Sequence, residues 1–238
     1  MNCPIDEEIY QELRKTLNET EIFCCEKEYL KLYNLGYALL ERVEKGAAYV
    51  NEHIEPPSTD EEFFLIMMYG AMLVDAADLL LKELKIKNPY QKGEQSAYCY
   101  FADVCENQNL RFNDGTIPTD KEVWEYIRAL SFAHPFETSR PQFLEKGEIQ
   151  YSPAIIANIK PEFLPVDAEP TIGILVYSTA FPEIKVLNIR YMRILGYISS
   201  RYQLLALGTE RVKQIIAEKK QEWVKQKVEI GANAIDIL

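Results

Sequence analysis

A chain of 238 residues, 47 % of them hydrophobic and 26 % charged, has the balance of a globular protein and enough length to bury a sizeable core. Its net charge of −11 argues against a general nucleic-acid coat, and its five cysteines lack the paired spacing that a zinc site requires. No basic region followed by an apolar run and a small-residue cleavage site opens the chain, so reduced thiols and a cytoplasmic location are expected.

Helical periodicity dominates the chain. A short helix is predicted over 5–17 and a second over 26–43, with Leu30, Tyr33, Tyr37 and Leu40 on one stripe. The third, from Thr59 to about Leu84, holds the run FFLIMMYGAMLVDAADLLL at 63–81. That run has the length of a membrane span, about 20 residues. Asp75 and Asp78 would each cost about 2.5 kcal/mol or more at a bilayer centre. Ser58 and Glu61 also supply a capping box ahead of it, so a core helix is expected and no membrane contact. A shorter helix is expected over 93–104, then a turn-rich loop with Asp114-Gly115 as its sharpest signal. The next helix opens on Thr119 as N-cap, with Glu122 as reciprocal partner and Val123, Ile127 and Leu130 as its buried stripe.

Beyond 138 the period changes. EIQYSPAII and TIGILVYST are rich in β-branched and aromatic residues and predict a small β-hairpin at about 148–179. From Pro182 the helical period returns, with Ile184, Leu187, Tyr191, Ile194, Ile198, Tyr202 and Leu205 on one face. Gly208 and Thr209 suit a C′ residue and an N-cap, so a break is expected there, before a last charged helix reaching about Val228. No interdomain linker stands out. The expected architecture is therefore mainly α: one helical-bundle domain over 1–238 with a small β-hairpin inserted.

Charge is unevenly spread: 182–227 holds ten Lys and Arg against four Asp and Glu, while 1–181 is strongly acidic. The simplest expectation is that the basic C-terminal helices lie against acidic ones in the same protein.

The stretch RALSFAHPFETSRP at 128–141 carries one of only two histidines. Six residues along an α-helix rotate by about 600°, which would leave Arg128 and His134 on different faces. Pro135 disfavours helical backbone at the residue before it, so the helix should stop near Ala133 with His134 extended. The imidazole can then fold back towards Arg128. Such a pair suits metal-free cleavage of RNA: a histidine moves a proton near neutral pH, and an arginine fork grips phosphate oxygens. One imidazole does not serve comfortably as both acid and base, so a homodimer bringing two motifs together belongs to this reading. The same residues have plainer roles: Arg128 paired with Glu125 or stacked on Phe132, and His134 capping a helix C-terminus. Ser131, Thr138 and Arg140 are candidate phosphate-binding residues, or turn, capping and solvated loop residues. Asp75 or Asp78 either orients His134, pairs with Arg128, or joins a salt bridge within the bundle. His53 is expected at the surface. No metal-ligand cluster, Gly-rich phosphate loop, GxSxG or HExxH is present, so no cofactor is expected.

RALSFAHP, late in a helical chain, with Thr138 after A-H-P, resembles the R-x(4–6)-H signature of HEPN domains. The resemblance implies a dimeric helical bundle with facing motifs, a metal-independent endoribonuclease, and Arg128 and His134 as its catalytic residues. It also implies contexts such as toxin–antitoxin pairs and phage defence, with an antitoxin or other protein partner. It rests on about a dozen residues and does not cover the hairpin or the last helices. Active members often carry a polar residue after the arginine; Ala129 stands there in this chain. A non-catalytic nucleotide- or protein-binding module is the alternative.

Overall fold

The computed structural model describes residues 5–112, 114–138, 147–157 and 169–235, with side chains up to 227. It is mainly helical with a small antiparallel sheet. The helices are α1 (Glu7–Asn18), α2 (Ile22–Cys25), α3 (Leu30–Glu52), α4 (Asp60–Glu83), α5 (Ala102–Asn107), α6 (Asp120–Arg128), α7 (Tyr191–Tyr202) and α8 (Leu205–Ile235). The strands are β1 (Gln150–Tyr151), β2 (Ile155–Ile156), β3 (Thr171–Ser178) and β4 (Lys185–Arg190).

α4 is the central element. It packs along α3 on one side and α7 on another, and buries Phe63, Ile66, Met67, Leu73, Val74, Leu80 and Leu81, among others. It is the one helix among the described residues long and apolar enough to cross a membrane, and much of it is covered by its neighbours. Its cap lies one residue beyond the expected pair: Thr59 is the N-cap, accepting from Glu62 N, and the Glu62 carboxylate accepts from Ser58 N at 2.6 Å. Ser58 and Glu61 therefore do not form the box. Helix α3 starts later than expected and buries Leu32, Leu40, Val43, Ala47 and Val50, leaving Leu30 exposed. The region 93–104 holds only a 3₁₀ turn, Gln95–Tyr98, before α5.

The largest departure from the sequence reading lies at 148–190. The segment EIQYSPAII pairs antiparallel with β3 as expected, but as two short strands, β1 and β2, instead of one, and a third partner joins them. Residues 185–190 form β4 instead of the first turns of a helix. Ile189 stands opposite Ile172 and Leu187 opposite Ile174, all four buried. In a short segment a few apolar residues satisfy either period, and the waiting edge of β3 decides for the strand. The helix starts at Tyr191, and Tyr191, Ile194, Ile198, Tyr202 and Leu205 are buried as the stripe predicts.

The expected break at Gly208 is also displaced. α7 ends at Tyr202, and α8 runs through Gly208 and Thr209 without interruption. Gly208 serves close packing instead: a Cβ there would lie 2.4 Å from Leu80 Cδ2. The basic C-terminal helix does lie on acidic neighbours, with Lys213 3.2 Å from Glu12 and Lys219 2.8 Å from Glu28. His53 ends α3 half-buried, its ring stacked on Tyr49.

Of the described cysteines, Cys24, Cys25 and Cys99 are exposed and Cys105 is buried. Burial pushes the Cys105 thiol up to about 12, so it stays protonated and unreactive. Iodoacetamide treatment of the native protein, followed by peptide mapping, is expected to label the three exposed thiols. Cys105 should react only after unfolding.

Candidate functional site

α6 opens with a complete capping box. Thr119 accepts from Glu122 N, and the Glu122 carboxylate accepts from Thr119 N at 2.7 Å. One residue on, Asp120 is 1 % exposed, and its carboxylate accepts from the backbone N–H groups of Cys99 (2.7 Å), Tyr100 (3.0 Å) and Phe101 (2.9 Å). The first turn of α6 is thereby clamped to the chain entering α5. Burial raises the Asp120 carboxyl above its ordinary 3.8, and the three N–H donors oppose that shift.

The helix then runs to Arg128 and ends in a π-turn over Ala129–Ala133, closed by His134 N donating to Ala129 O at 2.9 Å. The stop at Ala133 follows from Pro135. The wide turn carries one residue more than an α-turn. It buries Leu130 and Ser131 and leaves His134 exposed, at φ −146° and ψ 51°. The chain is then pinned to the sheet: Ser152 N donates to Pro135 O at 2.7 Å, and Thr138 and Gln150 exchange backbone bonds of 2.8 and 2.9 Å.

Arg128 and His134 both line a cavity of about 680 Å³ between α6, the π-turn and the loop around Tyr90. The six-residue spacing places both residues on the lining of one cavity. The imidazole makes no ring hydrogen bond among the described residues. Arg128 is engaged: Nη1 lies 3.2 Å from Asp75 Oδ2, and Nε lies 3.6 Å from Glu125. Of the roles open to the two aspartates, Asp75 takes Arg128, and Asp78 pairs with Lys121 on the same cavity wall. Asp75 and Glu125 are largely exposed, so each pair holds weakly and a phosphate can compete for the guanidinium. Urea unfolding of Asp75→Asn should accordingly move stability by less than about 1 kcal/mol.

The hydroxyl candidates do not reach this cavity. Ser131 is 2 % exposed, and its Oγ lacks a partner among the described residues. It lies on the inner side of the π-turn, beside buried Leu130. Thr138 is equally buried and donates to His134 O at 2.7 Å, bracing the motif from behind. Arg140 lies outside the described residues.

Three contributors escaped the sequence reading. Asp120 looked like an ordinary acidic residue in a first helical turn. Tyr126 borders the cavity, and its phenol donates to Gln150 Oε1 at 2.6 Å; burial pushes its pKa well above the ordinary value, so it stays a neutral donor. Gln150 in turn donates to Glu148, which also accepts from Ser178. Tyr90 lines the opposite wall, with the guanidinium of Arg201 3.6 Å from its ring centroid. Their partners are distant in sequence, and no local motif announces any of these groups.

Comparison with protein-family models, with curated proteins and with solved structures returns no match.

Proposed function

We propose that this chain is a HEPN-like helical bundle acting as a cytoplasmic, metal-independent endoribonuclease. The observation that carries the reading is the shared cavity: Arg128 and an exposed His134 border one open space. In this reading the Arg128 fork leaves Asp75 and holds the non-bridging oxygens of the scissile phosphate. His134 takes the proton of the ribose 2′-hydroxyl, the O2′–P bond forms and the P–O5′ bond breaks. A second His134, from a second copy of the chain, protonates the departing O5′. The products carry 2′,3′-cyclic phosphate and 5′-hydroxyl ends.

A row of partly exposed apolar side chains on α4 supports the homodimer. Phe64, Leu65 and Leu79 are exposed on the face that also presents Asp75 to Arg128. Apolar surface of this kind beside the motif favours a second copy over solvent.

A second reading is favoured by one specific arrangement: Arg128 stands between two carboxylates and precedes Ala129. Held that way, the motif binds a nucleotide or a protein partner without chemistry. Incubating total RNA with the protein in EDTA separates the two. Fragments with cyclic-phosphate ends, absent when the substrate is all 2′-deoxy, support the enzyme; intact RNA removes it.

A further inference from the structure

Arg201 of α7 is 2 % exposed, yet it makes no ion pair among the described residues. Nη1 donates to Ser200 Oγ at 3.1 Å, and Nη2 has no hydrogen-bond partner among the described residues. Burying a cation so poorly hydrogen-bonded is costly unless something else stabilises it. The buried Asp120 carboxylate and the Tyr197 phenol act on it electrostatically, and two tyrosine rings flank it, with the guanidinium carbon 3.6 Å from the Tyr90 centroid and 4.5 Å from that of Tyr197. The rings differ in surroundings. Tyr197 is fully buried and stacks on Trp124, a core arrangement. Tyr90 is half-buried and borders the cavity that Arg128 and His134 share.

Tyr90 also sits in a loop built to hold it still. Its N–H donates to Asn88 Oδ1, Asn88 donates to Asp78, and Ser96 Oγ donates to Pro89 O. A ring fixed by a buried cation on one face and bordering a cavity is a ready surface for another flat π-system. The cation draws electron density from the ring, which favours an electron-rich partner. About 680 Å³ is ample for one nucleotide.

We propose that Tyr90 is the stacking platform for a nucleobase in this cavity, with its phosphate towards Arg128, and that Arg201 is the positioning residue that holds the ring. The proposal deepens the nucleic-acid reading of the cavity and rests on it, but it concerns binding and not cleavage.

Isothermal titration of the intact protein with adenosine 5′-monophosphate, ribose 5-phosphate and inorganic phosphate tests it. Base stacking on an aromatic side chain should make the nucleotide bind about tenfold or more tighter than ribose 5-phosphate. Tyr90→Ala should erase that ratio with ribose 5-phosphate unchanged, and Tyr90→Phe should preserve it. Arg201→Lys should lower the same ratio, a quantity that general destabilisation does not move. Should Arg201→Lys not fold, the two Tyr90 variants still decide, because that ring is partly exposed. Equal binding of nucleotide and sugar phosphate, no nucleotide binding, or a Tyr90→Ala protein with the ratio intact overturns the proposal. RNA left uncut alongside a Tyr90-dependent ratio sinks the ribonuclease reading alone; RNA cut with no such ratio sinks this one alone.

Discussion

Replacing His134 with alanine is expected to lower RNA cleavage by about 10² to 10⁴ while leaving the fold intact, because that range is what a positioned proton-transfer group contributes. The side chain is exposed and makes no hydrogen bond among the described residues, so its loss opens no core cavity. Thermal unfolding of the variant should match wild type within a degree or two. Arg128→Lys separates charge from geometry. Lysine keeps the cation but loses the planar fork, and the loss of oriented donors to a phosphate should cost roughly 10² or more in rate. An Arg128→Lys protein as active as wild type would show that the guanidinium is not aimed at the transition state. Equal cleavage by wild type and His134→Ala would mean a contaminating nuclease, and the catalytic assignment would fall.

Asp120→Ala carries the largest expected effect on stability. Three N–H groups, those of Cys99, Tyr100 and Phe101, lose a shared acceptor, the last in the buried interior and the other two partly covered. At about 1 kcal/mol or more each, the loss is about 3 kcal/mol. For a chain of this size that lowers the melting temperature by roughly 10 °C. The effect should reach the candidate site, since Asp120 anchors the first turn of the helix that carries Arg128. The pH dependence has a definite sign. The folded carboxyl has a raised pKa, so the folded state holds its proton more tightly than the unfolded chain does. That linkage contribution is fully present below the ordinary 3.8 and is lost as pH rises through the raised folded value. The stability of wild type relative to Asp120→Asn should therefore be greatest in acid, shrink across that window, and stay level towards neutrality. Chemical unfolding at a series of pH values measures it. A difference that grows with pH would mean that the three donors outweigh burial.

The capping box of Thr119 and Glu122 and the helix stop before Pro135 were legible in the sequence. So were the antiparallel pairing of EIQYSPAII with TIGILVYST, though not its division into two strands, the buried stripe of α7, and the laying of the basic C-terminal helix on acidic neighbours. Each depends on backbone rules within a few residues or on a period repeated over several turns. The tertiary structure alone decided that 185–190 is a strand, because an open edge of β3 offered hydrogen bonds that no local count registers. It alone let α8 continue through Gly208, where the missing side chain makes room for Leu80 and does not end the helix. It also decided which carboxylate meets Arg128, what covers Arg201, and that Ser131 and Thr138 turn inward, away from the cavity. Those outcomes join groups far apart in the chain, and their energies come from burial and distance, which exist only once the helices have packed.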